Sequence, residues 1–144
     1  MTVLVRGATA ADQAAVVALW HSCGLVVSYN DPVADFKLAR GKENSDVLVA
    51  RTANQEIVAS VMVGHDGHRG WLYYVAVVPD YQGEGIGRLI VEAGEKWLAE
   101  RGIAKVQLLV RGTNTAVVSF YERIGFETVP RTVMQKWLAK KPSD

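Results

Sequence analysis

This sequence has a single cysteine, no membrane-length apolar run and no marked excess of either charge. Cys23 is the single cysteine among 144 residues, so no disulfide can form within the chain, and a cytoplasmic location is expected. No apolar run approaches the roughly 18 residues of a membrane-spanning helix. No charged segment followed by an apolar one marks a signal peptide. These absences argue against a disulfide-stabilised secreted fold and against a membrane protein.

The charge balance limits the partners. The formal net charge is +1, acidic and basic residues are interspersed, and there is no basic stripe, so nucleic acid is not an expected partner. Histidine, cysteine and the acidic residues form no cluster with metal-ligand spacing, so no metal is expected. With 49% hydrophobic residues the chain is predicted to fold as one domain over residues 1–144, as a monomer or a homodimer.

A glycine-rich turn between an apolar strand and a helix is the most informative segment. The run from Trp71 to Val78 is apolar, aromatic and β-branched, as in a buried strand, and Pro79 ends its pairing. After the glycines, apolar residues recur at helical spacing as far as Leu98. The bare N–H groups at such a helix N-terminus favour a phosphate or pyrophosphate ligand.

The spacing of the glycines discriminates between phosphate-binding motifs. A dinucleotide-binding G-x-G-x-x-G would need a glycine where Arg88 stands, and a P-loop would need a G-K-S or G-K-T that is missing. The segment Gln82-x-x-Gly85-x-Gly87, preceded by Val-x-Val-x-Pro, resembles the acyl-CoA signature of the GNAT (Gcn5-related N-acetyltransferase) family. The alternative is a strand–helix turn whose glycines serve only tight packing.

A second segment resembles the later motif of the same family. There a strand ends, Asn114 opens a short helix, and Tyr121-Glu-x-x-Gly125-Phe126 closes it. Asn114 and Tyr121 are two helical turns apart, so both can face one ligand. The motifs stand in the family's order, and the resemblance covers essentially the whole chain. Residues 19–32 and 66–70 are similar to a small bacterial branch typified by YpeA.

The predicted elements follow the order β-α-α-β-β-β-α-β-α-β, an α/β or α+β fold. We expect a mixed sheet of six or seven strands with about four helices, including a last strand around Thr132 to Leu138. The helix from about Gly85 to Arg101 has the length of a crossover between parallel strands. The GNAT resemblance further implies that those two central strands splay apart at their C-terminal ends.

The resemblance implies an acetyl-CoA-dependent N-acetyltransferase, with acetyl-CoA as the acetyl donor and an amine as the acceptor. The pantetheine arm would lie in the gap between the splayed strands, and the glycine turn would hold the pyrophosphate. Asn114 is alternatively a helix cap, Arg123 a solvated arginine and Gln82 a turn residue. The implied cofactor-binding residues are Val75, Ala76, Val77, Gln82, Gly83, Glu84, Gly85, Ile86, Gly87, Arg88, Asn114 and Arg123.

Tyr121 is the candidate catalytic residue. Acetyl transfer from a thioester expels a thiolate, whose thiol has a pKa of about 8.5, and a phenol with a pKa of about 10 can hydrogen-bond to it or return its proton. The alternative is a core tyrosine beside Phe120 and Phe126. The strand positions at which some relatives carry a glutamate base hold only aromatic and aliphatic residues here. The possible general bases are therefore Asp31, Asp66 and His68, all in predicted loops.

The region between the first two helices lines the acceptor site in the family. The candidate residues there are Trp20, Tyr29, Asn30 and Asp31, with Asp31 or Asp35 available for a cationic acceptor. The aromatic residues alternatively fill the core. The identity of the acceptor is left open, and the candidates are an amino acid, a polyamine, an antibiotic, a small metabolite and a protein N-terminus. The rival function is a non-catalytic acetyl-CoA-binding sensor module, and a nucleotide-binding domain of another type is a third alternative.

Overall fold

The computed structural model of the chain describes residues 2–140, in which a mixed five-stranded sheet is covered by helices on both faces. The strands are β1 (Val3–Gly7), β2 (Ser45–Thr52), β3 (Ile57–His65), β4 (Gly70–Val77) and β5 (Val106–Gln107). The helices are α1 (Gln13–Ser22), α2 (Pro32–Ala39), α3 (Ile86–Ala99) and α4 (Thr115–Arg123). Strands β1 to β4 pair antiparallel in chain order, and β5 joins β4 in parallel after the α3 crossover.

Two apolar clusters lie on opposite faces of the sheet. On the α1/α2 face, Trp20 and Phe36 pack against Val47 and Val49 of β2. The α3/α4 face is built from residues such as Leu48, Val61, Leu72, Ile90 and Tyr121. Successive residues of β2 therefore point to opposite clusters, as the pleat of a strand requires. Because both faces are covered, the central strands are nearly continuous apolar runs, which is why they were recognisable in the sequence.

Strands β4 and β5 separate soon after they meet. Their pairing consists of Gly70 with Val106 and Trp71 with Gln107, and no ladder follows it in the described residues. The predicted splay of the two central strands is thus present. It leaves the edge of β4 that faces β5 without a strand partner over most of its length.

The prediction of a sixth or seventh strand is wrong for the described part of the chain, which has five strands. Residues 126–140 form no regular secondary structure, so Thr132 to Leu138 is not a strand. The physical reason is that β5 ends at Gln107 and offers no continuing ladder for another strand to extend. Met134 and Leu138 are 89% and 97% exposed, so this segment contributes little to either core cluster.

A β-bulge interrupts β4 at Tyr74. Tyr73 lies opposite Met62 and Ala76 lies opposite Ser60, so two residues of β4 face one of β3. Tyr74 has φ +51°, a left-handed conformation that is rare for an aromatic residue. Regular alternation from Leu72 would send Tyr74 to the α3/α4 face. The bulge turns it to the α1/α2 face instead, where its ring stacks on Trp20.

An ion pair joins β1 to the start of α1. Arg6 donates to the Asp12 carboxylate at 2.7 and 3.2 Å, and the Thr9 backbone N–H donates to the same carboxylate at 2.7 Å. The Arg6 hydrogen bond is the largest reason that the pKa of Asp12 falls to about 2, with burial opposing it. Thr9 and Asp12 also form a capping box at the start of this helical segment.

Asp12→Asn should lower the free energy of unfolding by about 1 kcal/mol at neutral pH. Because the folded-state pKa of Asp12 lies below its ordinary value of 3.8, the carboxylate stabilises the fold above that value and loses most of this effect by about pH 2. Urea denaturation between pH 7 and pH 2 measures the difference, with Glu56→Gln in an exposed turn as the control. A difference that stays constant across this range would contradict the assignment.

Candidate active site

The splayed strands open a groove of about 1020 Å³. Its walls include Trp71 and Tyr73 of β4, residues 104–110, Tyr121 of α4, and residues 126–129 and 131–134. The backbone of Val75, Ala76 and Val77 runs along the β4 edge that has no strand partner in the described chain. Hydrogen-bonding groups on this edge are therefore available to an extended ligand.

The glycine turn leads into an uncapped helix. Gly83 and Gly85 have φ +83° and +82°, and no protein atom lies within 4 Å of a Cβ built at either position. Helix α3 starts at Ile86, and no side chain caps it. Its first helical N–H groups have no acceptor within the helix, and the positive end of the helix dipole lies there. The turn therefore has the open space and the free donors that a pyrophosphate requires.

The side chains of the turn serve mainly to hold it in place. Gln82 donates to the Val77 carbonyl at 3.0 Å and so ties the turn to the end of β4. Ile86 is buried in the core and anchors the first turn of α3. Arg88 is exposed and pairs with Glu92 at 2.7 Å, while Glu84 is exposed. The free hydrogen-bond donors of the turn are therefore mainly its backbone N–H groups.

Helix α4 lies directly beside this turn. A Cβ at Gly87 would stand 3.3 Å from Phe120, so the glycine lets the two helices approach closely. Asn114 occupies the N-cap position of α4, yet its side chain makes no capping hydrogen bond. The Asn114 amide therefore stays available to a ligand. Arg123 is exposed at the end of the same helix.

Tyr121 packs in the core and also lines the groove. Its ring packs edge-on against Phe120 and Phe126, with centroids 5.0 and 5.4 Å away. It also lines the groove and is only 9% exposed. Burial raises the pKa of Tyr121 to about 12, so the phenol stays protonated at neutral pH and can act as a donor.

The three possible bases do not meet at one point. Asp31 caps α2 by accepting from the N–H groups of Val33 and Ala34, each at 3.1 Å. Asp66 accepts from the backbone N–H groups of Arg69 and His68, and these hydrogen bonds lower its pKa. His68 is exposed and is the one candidate of the three that lines the groove.

The predicted acceptor residues divide between core and surface. Trp20 is fully buried, stacks on Tyr74 with centroids 3.8 Å apart, and donates its indole N–H to Ser60 at 2.9 Å. It therefore packs in the core and supports Tyr74, which agrees with the alternative that this aromatic residue fills the core. Tyr29 is 45% exposed, and Asn30 lines a separate cavity beside α2.

This second cavity contains residues that the sequence did not bring together. It measures about 310 Å³ and lies between α2 and β4. The Tyr74 hydroxyl donates to the Asp35 carboxylate at 2.7 Å. Burial, followed by this hydrogen bond, raises the pKa of Tyr74 well above its usual value. Asp35 was a candidate only as a possible cation site, and no sequence signal marked Tyr74, because the bulge that positions it depends on pairing with β3.

Two further properties concern residues 2–140 as a whole. No helix among them combines the length and apolar character needed to cross a membrane. Within the same range, His, Cys, Asp and Glu side chains form no group of three or more that could hold a metal ion.

Comparison with known proteins agrees with this geometry. The model of the family described as "Acetyltransferase (GNAT) family" matches residues 9–126. An acetyltransferase of Pectobacterium atrosepticum is 41% identical over 127 residues, which cover 88% of this chain and 89% of that protein.

Solved structures share the fold. AAC(6′)-Iy, in complex with the bisubstrate analogue CoA-S-monomethyl-acetylneamine, superposes with a TM-score of 0.81 at 14% identity, over 96% of this chain and 100% of that one. The ribosomal-protein-S18-alanine N-acetyltransferase of Escherichia coli gives a TM-score of 0.73 at 26% identity, over 90% and 80% of the two chains. The chain therefore belongs to the acetyltransferase (GNAT) family and is an acetyl-CoA-dependent N-acetyltransferase.

Proposed function

We propose that the acetyl group passes directly from acetyl-CoA to an amine in a ternary complex, with the two substrates entering the groove from opposite faces of the sheet. The observation that carries this proposal is the composition of the groove. Tyr121 belongs to the α3/α4 face, whereas Tyr73 borders α2 on the other face, and both line the same opening between β4 and β5. Both substrates can therefore be bound in the groove at the same time, as a ternary complex requires.

The α3/α4 side fits the donor. We assign the pyrophosphate to the N–H groups of the turn from Gly83 to Arg88, and the pantetheine arm to the free edge of β4 from Val75 to Val77. The uncapped α3 N-terminus and the missing strand partner support these roles. Asn114, whose amide makes no capping bond, is assigned to the arm, and Arg123 to the 3′-phosphate.

We assign to Tyr121 the hydrogen bond to the leaving sulfur. Attack by the amine lone pair on the thioester carbonyl carbon forms the C–N bond, and the C–S bond breaks with its electron pair leaving on sulfur, so negative charge develops there. The proton that the nitrogen loses balances the charge on sulfur, and the products are the amide and the CoA thiol. Because the pKa of Tyr121 is about 12, it retains its proton at neutral pH and donates a hydrogen bond to that charge. A hydrogen bond that acts only on charge developing in the transition state lowers the barrier without strengthening the binding of acetyl-CoA.

The cellular setting and the subfamily are finer points of the proposal. We place the activity in the cytoplasm, which suits a chain with one unpaired cysteine, Cys23. Membership of the YpeA-like branch stays a prediction from the sequence.

Saturating acetyl-CoA should stabilise the protein without added metal. At a ligand concentration 100 times the dissociation constant the gain is about 2.7 kcal/mol, which corresponds to several degrees in melting temperature. A thermal-shift assay measures it, with NAD and ATP at equal concentration as controls for other phosphate ligands. An unchanged melting temperature with both acetyl-CoA and CoA would contradict the donor site.

An acceptor screen that detects the released CoA thiol tests the catalytic part. Thiol release that depends on an added amine supports the transferase. Tight acetyl-CoA binding with no release across amino acids, polyamines, aminoglycosides and N-terminal peptides would instead favour the sensor module.

A further inference from the structure

We infer that the cavity between α2 and β4 is the acceptor site and that it selects a small aliphatic diamine or polyamine, with Asp35 holding one ammonium group while a second amine reaches the groove. This inference rests on the proposed function and specifies its acceptor. It is carried by the composition of the cavity, the way Asp35 is held, and the continuity of the cavity with the groove.

The cavity has a single charge and largely apolar walls. It is lined by Asn30, Asp35, Leu38, Ala39, Met62, Tyr73 and Tyr74. Asp35 is the one formally charged side chain in this set, which favours a cationic ligand. Leu38 and Met62 offer surface to methylene groups. A volume of about 310 Å³ is at the low end for ligand sites and suits a small molecule.

Asp35 is held in a defined position. The Tyr74 hydroxyl occupies its Oδ2 at 2.7 Å, and no hydrogen bond to Oδ1 is recorded from the described residues. The Tyr74 ring stacks on buried Trp20, and the Ser60 hydroxyl donates to the Tyr74 carbonyl at 3.1 Å. Tyr74 is thus fixed at its ring, hydroxyl and backbone. It is a positioning residue that orients Asp35 and leaves one carboxylate oxygen for a ligand.

The strained backbone at Tyr74 creates this arrangement. A left-handed aromatic residue costs about 1–3 kcal/mol, and such strain tends to persist where it serves function. Here it brings Tyr73 and Tyr74 to the same face, whereas an unbroken strand would send them to opposite faces. Without the bulge the Tyr74 hydroxyl could not reach α2, and the cavity would lose its ordered carboxylate.

The cavity adjoins the groove where acetyl transfer takes place. Tyr73 lines both of them, so the cavity and the groove share a wall. An amine bound at Asp35 is stabilised in its charged form by the carboxylate, and an ammonium has no lone pair with which to attack. The nucleophile must therefore be a different nitrogen of the same molecule. This reasoning selects acceptors with at least two amines joined by a short apolar chain.

The test compares diamines with monoamines of the same chain length, which lack the second amine. Thiol release is measured with 1,4-diaminobutane and 1,5-diaminopentane against butylamine and pentylamine. Wild type should prefer the diamines. Asp35→Asn should lower kcat/KM for the diamines about ten- to a hundred-fold, mainly through KM, and so reduce the preference of the enzyme for diamines over monoamines, since it removes one charge-assisted contact. Glu56→Gln in an exposed turn is the matched control and should change neither class.

Tyr74→Phe and a binding measurement complete the test. Tyr74→Phe keeps the ring on Trp20 but frees Asp35, so it should raise KM for the diamines by a smaller factor and leave kcat unchanged. Equal use of monoamines and diamines by wild type, no turnover of any diamine, or equal losses for both amine classes in Asp35→Asn would overturn the inference. The acetyl-CoA thermal shift distinguishes a failure of the acceptor assignment from a failure of the proposed function. If the shift persists in wild type and variants, only the acceptor assignment fails, whereas its absence from wild type removes the proposed function.

Discussion

Tyr121→Phe is expected to lower kcat by about 10²–10⁴-fold while the affinity for acetyl-CoA stays unchanged. The substitution removes only the hydroxyl, so the edge-on packing with Phe120 and Phe126 is retained and the fold should survive. The loss should be confined to kcat because charge on the sulfur develops only toward the transition state. Steady-state kinetics with an acceptor found in the thiol-release screen give kcat, and calorimetry gives the acetyl-CoA affinity.

Tyr81→Phe is the matched control for this prediction. Tyr81 packs against the same apolar cluster but does not line the groove. Its hydroxyl should therefore be dispensable for turnover. If Tyr121→Phe and Tyr81→Phe both retain the wild-type kcat, Tyr121 is a packing residue and its hydroxyl does not stabilise the leaving sulfur.

Gly85→Ala is expected to weaken acetyl-CoA binding by about tenfold or more. The added methyl group would occupy the open space beside the backbone where the pyrophosphate is proposed to lie. In addition, φ +82° at this position disfavours any residue with a Cβ. A shift of the turn would misalign the N–H donors, and each charge-assisted hydrogen bond contributes about 1.5–3 kcal/mol. Calorimetric titration with acetyl-CoA measures the change.

Gly102→Ala separates this effect from loss of stability. Gly102 follows α3 at its other end, has φ +78°, and likewise has no atom within 4 Å of a built Cβ. Both substitutions should lower the free energy of unfolding by about 1–2 kcal/mol, because each forces an alanine into the left-handed region. Only Gly85→Ala should lose affinity. Equal affinities of the two variants would show that the phosphates bind elsewhere.

Much of the cofactor side could be predicted from local sequence. The strand over 70–77, the glycine turn and helix α3 follow one another along the chain, so hydrophobic periodicity and glycine spacing were sufficient to identify them. The same holds for Asn114 and Tyr121, which lie on one short helix. The roles of these residues in binding and catalysis remain predictions, and among them Tyr121 is the one that the structure places in the wall of the groove.

The acceptor side could not be predicted in the same way. Trp20 was a candidate contact because of its position before the loop, but it lies in the core, since the helix presents it to β3 and β4. The missing last strand had a strand-like composition, yet strand formation requires a partner ladder that β5 does not continue. In both cases the deciding interaction joins residues far apart in the chain.

Local sequence was sufficient to predict the apolar strands, the α3 crossover, the glycine turn and the helix that carries Tyr121, because each depends on contacts within one segment or between neighbouring segments. The position of the proposed acceptor side, in contrast, depends on tertiary contacts. Alternation along β4 predicts Tyr73 and Tyr74 on opposite faces, and the bulge against β3 reverses this for Tyr74. The hydrogen bond between Tyr74 and Asp35 then joins residues 39 positions apart, a contact that arises only when the α1/α2 face closes over the sheet.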